Sequence, residues 1–254
     1  MSIPRFFIPP EAIDSQAGLV RYKDPDIARQ ISKVLRLVKG DKLSLLDGKG
    51  NIYHCFLEDY SKEMVIARIS DRETSETQRT HITVAMAVLK GERFEWALEK
   101  LTELGVASIV PIIVSRSVVR PDKEISNKIK RWRTILKESA EQCERSTIPC
   151  LVPPLNFRDW LSSQCHPKAG QLKLICAERR NVPHFRNVLC NQGDNKSFSE
   201  LIVVIGAEGG FTDEEVKMAT EANFMPVSFG KRILRGETAA IYALTILSWH
   251  FVVA

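Results

Sequence analysis

The chain has 254 residues, enough for one large domain or two smaller ones with ample core. Its 36 Lys and Arg against 31 Asp and Glu give a net charge of +5, which leans towards a polyanionic partner without demanding one. The six cysteines, at 55, 143, 150, 165, 176 and 190, form no CxxC pair and no His spacing suited to zinc, so the pattern gives no metal site and suits a reducing compartment.

The opening MSIPRFFIPP has no long apolar core and no cleavage site, so it does not read as a signal peptide. Residues 1–72 read as a small β-rich unit. Asp24-Pro25 places a capping acceptor and a proline where a helix begins, and Ile27, Ile31, Val34 and Leu35 are expected to share its apolar face. Strands are predicted at 42–46, 52–57 and 64–69, with turn chemistry from Asp47-Gly48 and Lys49-Gly50. Arg5, Arg21, Arg29, Lys33, Arg36 and Lys39 are offset by Asp24, Asp26 and Asp41, so charge alone favours an ordinary solvated face. The polar stretch 71–80 suits a linker, placed at 73–80.

A second domain, 81–254, opens with a buried strand from Ile82, a helix with Phe94, Ala97, Leu98, Leu101 and Leu104 on one stripe, and a strand at 109–114. That βαβ order implies a parallel sheet with a right-handed crossover. A loop with Arg116 and Arg120 leads to a long helix carrying Ile125, Ile129, Trp132, Leu136, Ala140 and Cys143 at helical spacing. Prolines 149, 153 and 154 force an extended stretch, and Asn156 is placed to cap a short helix ending near Gln164. Residues 172–177 form another buried strand, while 178–199 carry little pattern.

The stretch 201–252 is the most informative. A β-branched run reaches Gly206, Gly209 and Gly210, and then Thr212 and Glu215 stand three apart as a capping box. A second run, 227–229, meets Gly230 and a polar loop before an almost wholly apolar helix. Strand, glycine loop and helix, twice over, is the layout of an α/β sheet that binds a ligand where its strands end. Neither loop has the GxxxxGK[ST] of a triphosphate site, and GxGxxG is absent. Glu208 and Glu237 repel phosphate but suit ribose hydroxyls or a cation, so a nucleoside with a positive centre, such as S-adenosylmethionine, fits better than ATP. By itself, a Gly-Gly after a strand more often marks a plain turn. The last helix, 239–253, is apolar around most of its circumference, which calls for cover by the sheet and by a twofold partner subunit, or by burial within one chain.

IGAEGGF at 205–211 and FGKRILRGETAA at 229–240 resemble the cofactor loops of the SPOUT methyltransferases. With KGERFEWALEKLTELGV at 90–106, EQCERSTIP at 141–149, RFFI at 5–8 and ISKVLRL at 31–37, the chain resembles the ribosomal RNA small-subunit methyltransferase E family over nearly its whole length. It departs from that pattern at Ala207, where the family usually has Pro, and at Gly236, where Thr is common.

The resemblance implies an α/β fold: a PUA-like β-barrel that docks on RNA, then a SPOUT α/β domain with a deep trefoil knot and cofactor loops near 177–179, 206–211 and 230–239. It implies transfer of the methyl of S-adenosylmethionine to N3 of a uridine in 16S ribosomal RNA (the m3U1498 type of modification), leaving S-adenosylhomocysteine. A cytoplasmic homodimer acting on the 30S subunit, with no metal and no membrane, is expected. Carried onto this chain, the cofactor contacts are Ala177, Glu178, Ile205, Gly206, Ala207, Glu208, Gly209, Gly210, Phe229, Gly230, Ile233, Leu234, Arg235, Glu237, Thr238 and Ala239. RNA contacts are expected at Arg5, Arg21, Arg36, Arg93, Arg116, Arg120 and Arg145. Arg235, with Arg232 second, is the candidate cation beside the uridine oxygens, unless it bonds a carboxylate and orders its loop. The general base is unassigned, with water a candidate. Two alternatives stay open: a SPOUT enzyme acting on another RNA such as transfer RNA, and a non-catalytic ribosome-assembly factor.

Overall fold

A computed structural model describes residues 3–75, 79–118, 125–166, 168–178, 180–192 and 197–251. Arg120, Arg179 and part of the expected linker lie outside them. The chain forms two compact units, Met1–Thr77 with Lys137–Ile148, and Gln78–Leu136 with Pro149–Ala254.

The first unit contains β1 (Arg5–Phe7), β2 (Ile13–Asp14), β3 (Leu19–Lys23), α1 (Pro25–Arg29), β4 (Lys42–Leu46), β5 (Asn51–Tyr60) and β6 (Met64–Thr74). Its six-stranded sheet has the order β1-β4-β5-β6-β3-β2, antiparallel except for the β1–β4 pair. Asp24 caps α1 as its sequence implies, accepting from the N–H groups of Asp26 (2.8 Å) and Ile27 (3.1 Å), with Pro25 at the first helical position. The Asp47 carboxylate likewise closes the β4–β5 turn through the N–H groups of Lys49 and Asn51.

Three expectations for this unit change. Ile27 and Ile31 are buried, but Val34 and Leu35 are exposed, because α1 widens into a π-helical turn at Gln30–Val34 that rotates the later residues off the buried face. The polar run after Ser70 does not leave the sheet at once: β6 continues to Thr74, paired with β5. Finally, residues 137–148, expected in the second domain, group with this first unit. There the Glu141 carboxylate accepts from the Phe7 N–H at 2.8 Å, Arg5 pairs with Glu144 at 2.9 Å, and Ala140 packs with Phe7, Leu46 and Ile52.

The second unit contains β7 (His81–Ala87), α2 (Arg93–Glu103), β8 (Ser108–Ile113), most of α3 (Ile125–Gln142), β9 (Cys150–Leu151), β10 (Leu155–Asn156), α4 (Phe157–Ser163), β11 (Gln171–Cys176), α5 (Phe185–Cys190), β12 (Glu200–Ile205), α6 (Asp213–Glu221), β13 (Met225–Val227) and α7 (Gly236–Phe251). Its strands pair in parallel in the order β10-β8-β7-β12-β11-β13, with β9 also on β8. Ala85, Ala87, Ile112, Ile175, Ile202 and Val204 face one layer, with Phe157 and Trp160 of α4 and Ala219 of α6. By the two-residue period of a strand, Val84, Met86, Val203 and Ile205 face the other way, where α7 packs on β7, β12 and α2. Continuous apolar runs in β7 and β12 follow from this cover on both faces.

Asn156 caps α4 by accepting from the Arg158 N–H at 2.9 Å. The Thr212–Glu215 capping box of α6 is also formed: Thr212 Oγ1 accepts from the Glu215 N–H at 3.1 Å, and Glu215 Oε2 accepts from the Thr212 N–H at 2.8 Å. Among the described residues no helix is long and apolar enough to cross a membrane, and no cluster of His, Cys, Asp and Glu is arranged to hold a metal ion.

Candidate active site

Parallel pairing brings the carboxyl ends of β11, β12 and β13 to one edge of the sheet. Residues of the segments that leave them, Glu178 and Arg180 after β11, 206–211 after β12 and Phe229 with 233–235 after β13, border a cleft of about 330 Å³ closed by the first turns of α6 and α7. The first segment ties the other two together. Glu178 Oε1 accepts from the Phe229 N–H at 2.9 Å, and the Ala177 N–H donates to the Val227 carbonyl at 2.8 Å. On the other side, Arg180 donates to the Phe211 carbonyl at 2.9 Å and pairs with Asp213 at 2.7 Å.

The glycine loop after β12 turns tightly, with Gly210 N–H donating to the Ala207 carbonyl at 2.8 Å and Gly210 at φ +67°. Arg116, from the segment after β8, lies against Gly209 and donates to its carbonyl at 2.8 Å. A Cβ on Gly209 would stand 3.0 Å from the Arg116 Cβ, so only glycine allows that approach without displacement. Glu208 points to Arg93 at the start of α2, at 2.9 Å. The carboxylates bordering the cleft, Glu178, Glu208 and Asp213, are therefore each engaged by a protein donor.

Arg235 differs from the other two arginines of the cleft wall. Arg116 and Arg180 hold carbonyls of the glycine loop, whereas the exposed Arg235 side chain makes no hydrogen bond or ion pair among the described residues. Its own carbonyl accepts from the Ala239 N–H at 2.8 Å, which seats it at the start of α7. Carboxylate bonding that would make it a loop-ordering group is absent among those residues. Arg232 is exposed and does not border the cleft.

Of the expected cofactor contacts, Glu178, Ile205, Gly206, Ala207, Glu208, Gly209, Gly210, Phe229, Ile233, Leu234, Arg235 and Ala239 border the cleft. Ala177, Gly230, Glu237 and Thr238 are not among the residues that line it; Ala177 and Glu237 are buried, whereas Thr238 is exposed. Glu237 is buried at the start of α7, with Oε2 lacking a hydrogen-bond partner among the described residues. Among the expected RNA contacts, Arg5 is paired with Glu144 and Arg93 with Glu208, and Arg116 is part of the cleft. Arg145 is half-buried, and burial lowers the pKa of its guanidinium. Arg21 and Arg36 are exposed.

Cys176, Arg180, Phe211, Asp213 and Gly236 also line the cleft, although sequence reading gave them no role. Phe211 lay within the IGAEGGF motif, and Asp213 in the first turn that Thr212 caps, so both were within reach. Nothing around 178–199 distinguished Arg180 from its neighbours. Burial, and then the nearby Glu178, push the Cys176 thiol well above the usual range, so it stays protonated and poorly nucleophilic.

A parallel sheet with a glycine-loop cleft at its carboxyl edge, in a chain whose first unit is a mostly antiparallel six-stranded sheet, defines a class that comparison makes specific. The family model described as "RNA methyltransferase domain" matches residues 76–248, and that described as "RNA methyltransferase PUA domain" matches residues 26–70. The ribosomal RNA small subunit methyltransferase E of Synechocystis is 34% identical over 84% of this chain and 68% of its own length. That of Bacillus subtilis is 32% identical over 87% and 86%. A crystal structure of the Neisseria gonorrhoeae enzyme of the same name, bound to S-adenosyl methionine, superposes with a TM-score of 0.84 at 29% identity, covering 98% of both chains. The chain belongs to the ribosomal RNA small subunit methyltransferase E family.

Proposed function

We propose that this protein transfers the methyl group of S-adenosylmethionine to N3 of a uridine in 16S ribosomal RNA. The observation that carries the reading is Arg235, a cleft cation without a side-chain partner among the described residues, beside two arginines already committed to the loop. The cleft suits the methyl donor: its volume falls in the range of roughly 300–1000 Å³ typical of ligand pockets, and Ile205, Phe229, Leu234 and Ala239 supply apolar wall. The bound donor would supply an electrophilic sulfonium methyl.

This chain's residues do the rest. Backbone of the glycine loop and of 229–235 holds the adenosine portion, with Glu178 keeping the two segments together. Uridine N3 becomes nucleophilic only as its proton leaves, and Arg235 beside O2 or O4 stabilises the negative charge that develops. Among the described residues the cleft carboxylates are engaged by protein donors and no histidine borders the cleft, so water is the proton acceptor this reading favours. We further propose the family's homodimer. Tyr242, Thr245 and Trp249 form an exposed stripe along α7, an apolar-aromatic face suited to a twofold contact. The trefoil knot belongs to the same reading, as α7 returns from the β13 edge to pack on β7 and β12.

The test is labelled methyl transfer from S-adenosylmethionine to purified 30S subunits and to transfer RNA, followed by nucleoside mass spectrometry. Label in 3-methyluridine of 16S RNA is expected. Label in transfer RNA alone, or none despite bound donor, rejects the proposal.

A second result is expected at the glycine loop. Gly209→Ala must displace Arg116, costing about 1–2 kcal/mol of stability as a small overpacking change does. Because Arg116 and Gly209 both line the cleft, moving one against the other should also misplace the donor's contacts, and calorimetry should show S-adenosylmethionine binding weakened by about tenfold, or ~1.4 kcal/mol. Unchanged affinity would remove the loop from the donor site.

A further inference from the structure

The π-helical turn after α1 has turned an apolar segment outward. The Leu35 N–H closes the turn onto the Gln30 carbonyl at 2.8 Å, and Arg36 then takes φ +53°, a left-handed conformation that side chains other than glycine rarely adopt. The Leu37 N–H donates to the Ile31 carbonyl at 2.9 Å, and the Val38 N–H donates to the Asp41 carboxylate at 2.8 Å. Ile31 is thereby fully buried and Leu37 packs against the barrel core. Val34, Leu35 and Val38 are left 68%, 42% and 61% exposed. Two backbone bonds and the Asp41 carboxylate hold the tip, so its exposed side chains leave a backbone of defined shape.

Cations surround them. Arg29, Lys33, Arg36 and Lys39 are exposed, and none makes a side-chain ion pair or hydrogen bond among the described residues. Residues 27–40 contain no Asp or Glu, and of the acids that flank them Asp24 caps α1 and Asp41 accepts from the Val38 N–H, while Asp26 is exposed at the start of α1. Clustered exposed aliphatics mark a contact surface, and a π-turn followed by a left-handed residue is the kind of local strain that tends to be kept for function. The charge decides the occupant: a second copy of this surface would set like charges face to face, whereas phosphates complement it. Within RNA, a continuous A-form duplex hides its base faces, and only unpaired nucleotides offer both an apolar face and a phosphate.

We propose that residues 33–39 form a docking tip for unpaired nucleotides of RNA. Val34, Leu35 and Val38 pack against base faces, while Lys33, Arg36 and Lys39 meet the flanking phosphates. The proposal rests on the reading of this chain as an RNA methyltransferase and adds that its barrel selects unpaired over duplex RNA.

The test measures anisotropy of two RNAs of equal length, one with an internal unpaired loop and one fully paired, at several salt concentrations, with the full-length protein. Wild type should prefer the looped RNA by about tenfold. The variant V34S/L35S/V38S should lose that preference with its salt dependence unchanged. The variant K33Q/R36Q/K39Q should weaken on both RNAs, its log-log salt slope falling by about 2, at ~0.7–0.9 per lost phosphate contact. Arg36→Gly relieves the left-handed strain, so it should melt at or above the wild-type temperature and still bind RNA less tightly, which a misfolded variant would not do. Retention of the looped-RNA preference by the serine variant overturns the tip, as does a changed oligomeric state in that variant, which would assign the surface to a second copy. If wild type methylates 30S subunits while the serine variant matches it in KM, the tip fails and the enzymatic reading stands. If looped RNA binds through the tip but no methyl is ever transferred, the tip stands and the enzymatic reading fails.

Discussion

Arg235→Ala should lower turnover on 30S subunits by about a hundred- to a thousandfold, the loss that follows removal of one preorganised donor to a developing oxyanion, worth ~3–4 kcal/mol. Affinity for S-adenosylmethionine should stay within about threefold, because a group used only as charge develops contributes to kcat rather than to ground-state binding. The structure frames this split. Arg180→Ala breaks the bonds to the Phe211 carbonyl and to Asp213, so it should weaken donor binding along with turnover. Arg235 holds no loop atom through its side chain among the described residues, so its removal leaves the cleft wall in place. Single-turnover methyl transfer beside calorimetry separates the cases. Equal losses in turnover and affinity for Arg235→Ala would move it to a structural role. Arg232→Ala, off the cleft wall, should change either quantity by less than about fivefold, the scale of ~1 kcal/mol.

The largest stability loss is expected at Glu215. Its carboxylate is buried and accepts two backbone N–H groups from different segments: Thr212, which it caps, and Ser115 in the segment after β8, both at 2.8 Å. Glu215→Ala leaves both donors without their partner. At about 1–3 kcal/mol for each buried donor so orphaned, and allowing for partial relaxation, the loss should be near 3 kcal/mol. Thr212→Ala removes one cap acceptor and should cost about 1 kcal/mol. Urea unfolding at fixed protein concentration measures both. The double variant should fall short of the sum, since both residues serve one cap. A Glu215→Ala loss below that of Thr212→Ala would show that the Ser115 bond contributes nothing.

Much of this fold was legible because its signals are local. Asp24-Pro25, Asn156 and Thr212–Glu215 announce helix starts through side-chain acceptors at fixed offsets, and each forms the predicted bond. The strands of the second unit carry apolar runs that cover on both faces requires. Misreadings arose where a nonlocal contact or an unusual winding decides. Nothing in ISKVLRL distinguishes α from π winding, so Val34 and Leu35 were assigned to a buried face they do not reach. The end of α3 reads like the rest of that helix, yet its Glu141 and Ala140 belong with Phe7, well over a hundred residues away. α5 was missed because its cap is a histidine, whose Nδ1 accepts from the Arg186 N–H at 3.1 Å, and histidine is an uncommon residue to look for there. The cleft was legible in its glycines and in Arg235. Arg180 was not, since its role depends on a carbonyl that folding brings to it.

Gly236 lets the start of α7 press against its surroundings: a Cβ there would lie 3.0 Å from Leu89 Cδ2 and 3.3 Å from the Gly206 carbonyl oxygen. Leu89 is itself buried, so it has little room to swing aside. A threonine placed at 236 would therefore press on Leu89, and trimming position 89 at the same time should relieve the strain, so the two positions accept bulk only as a pair.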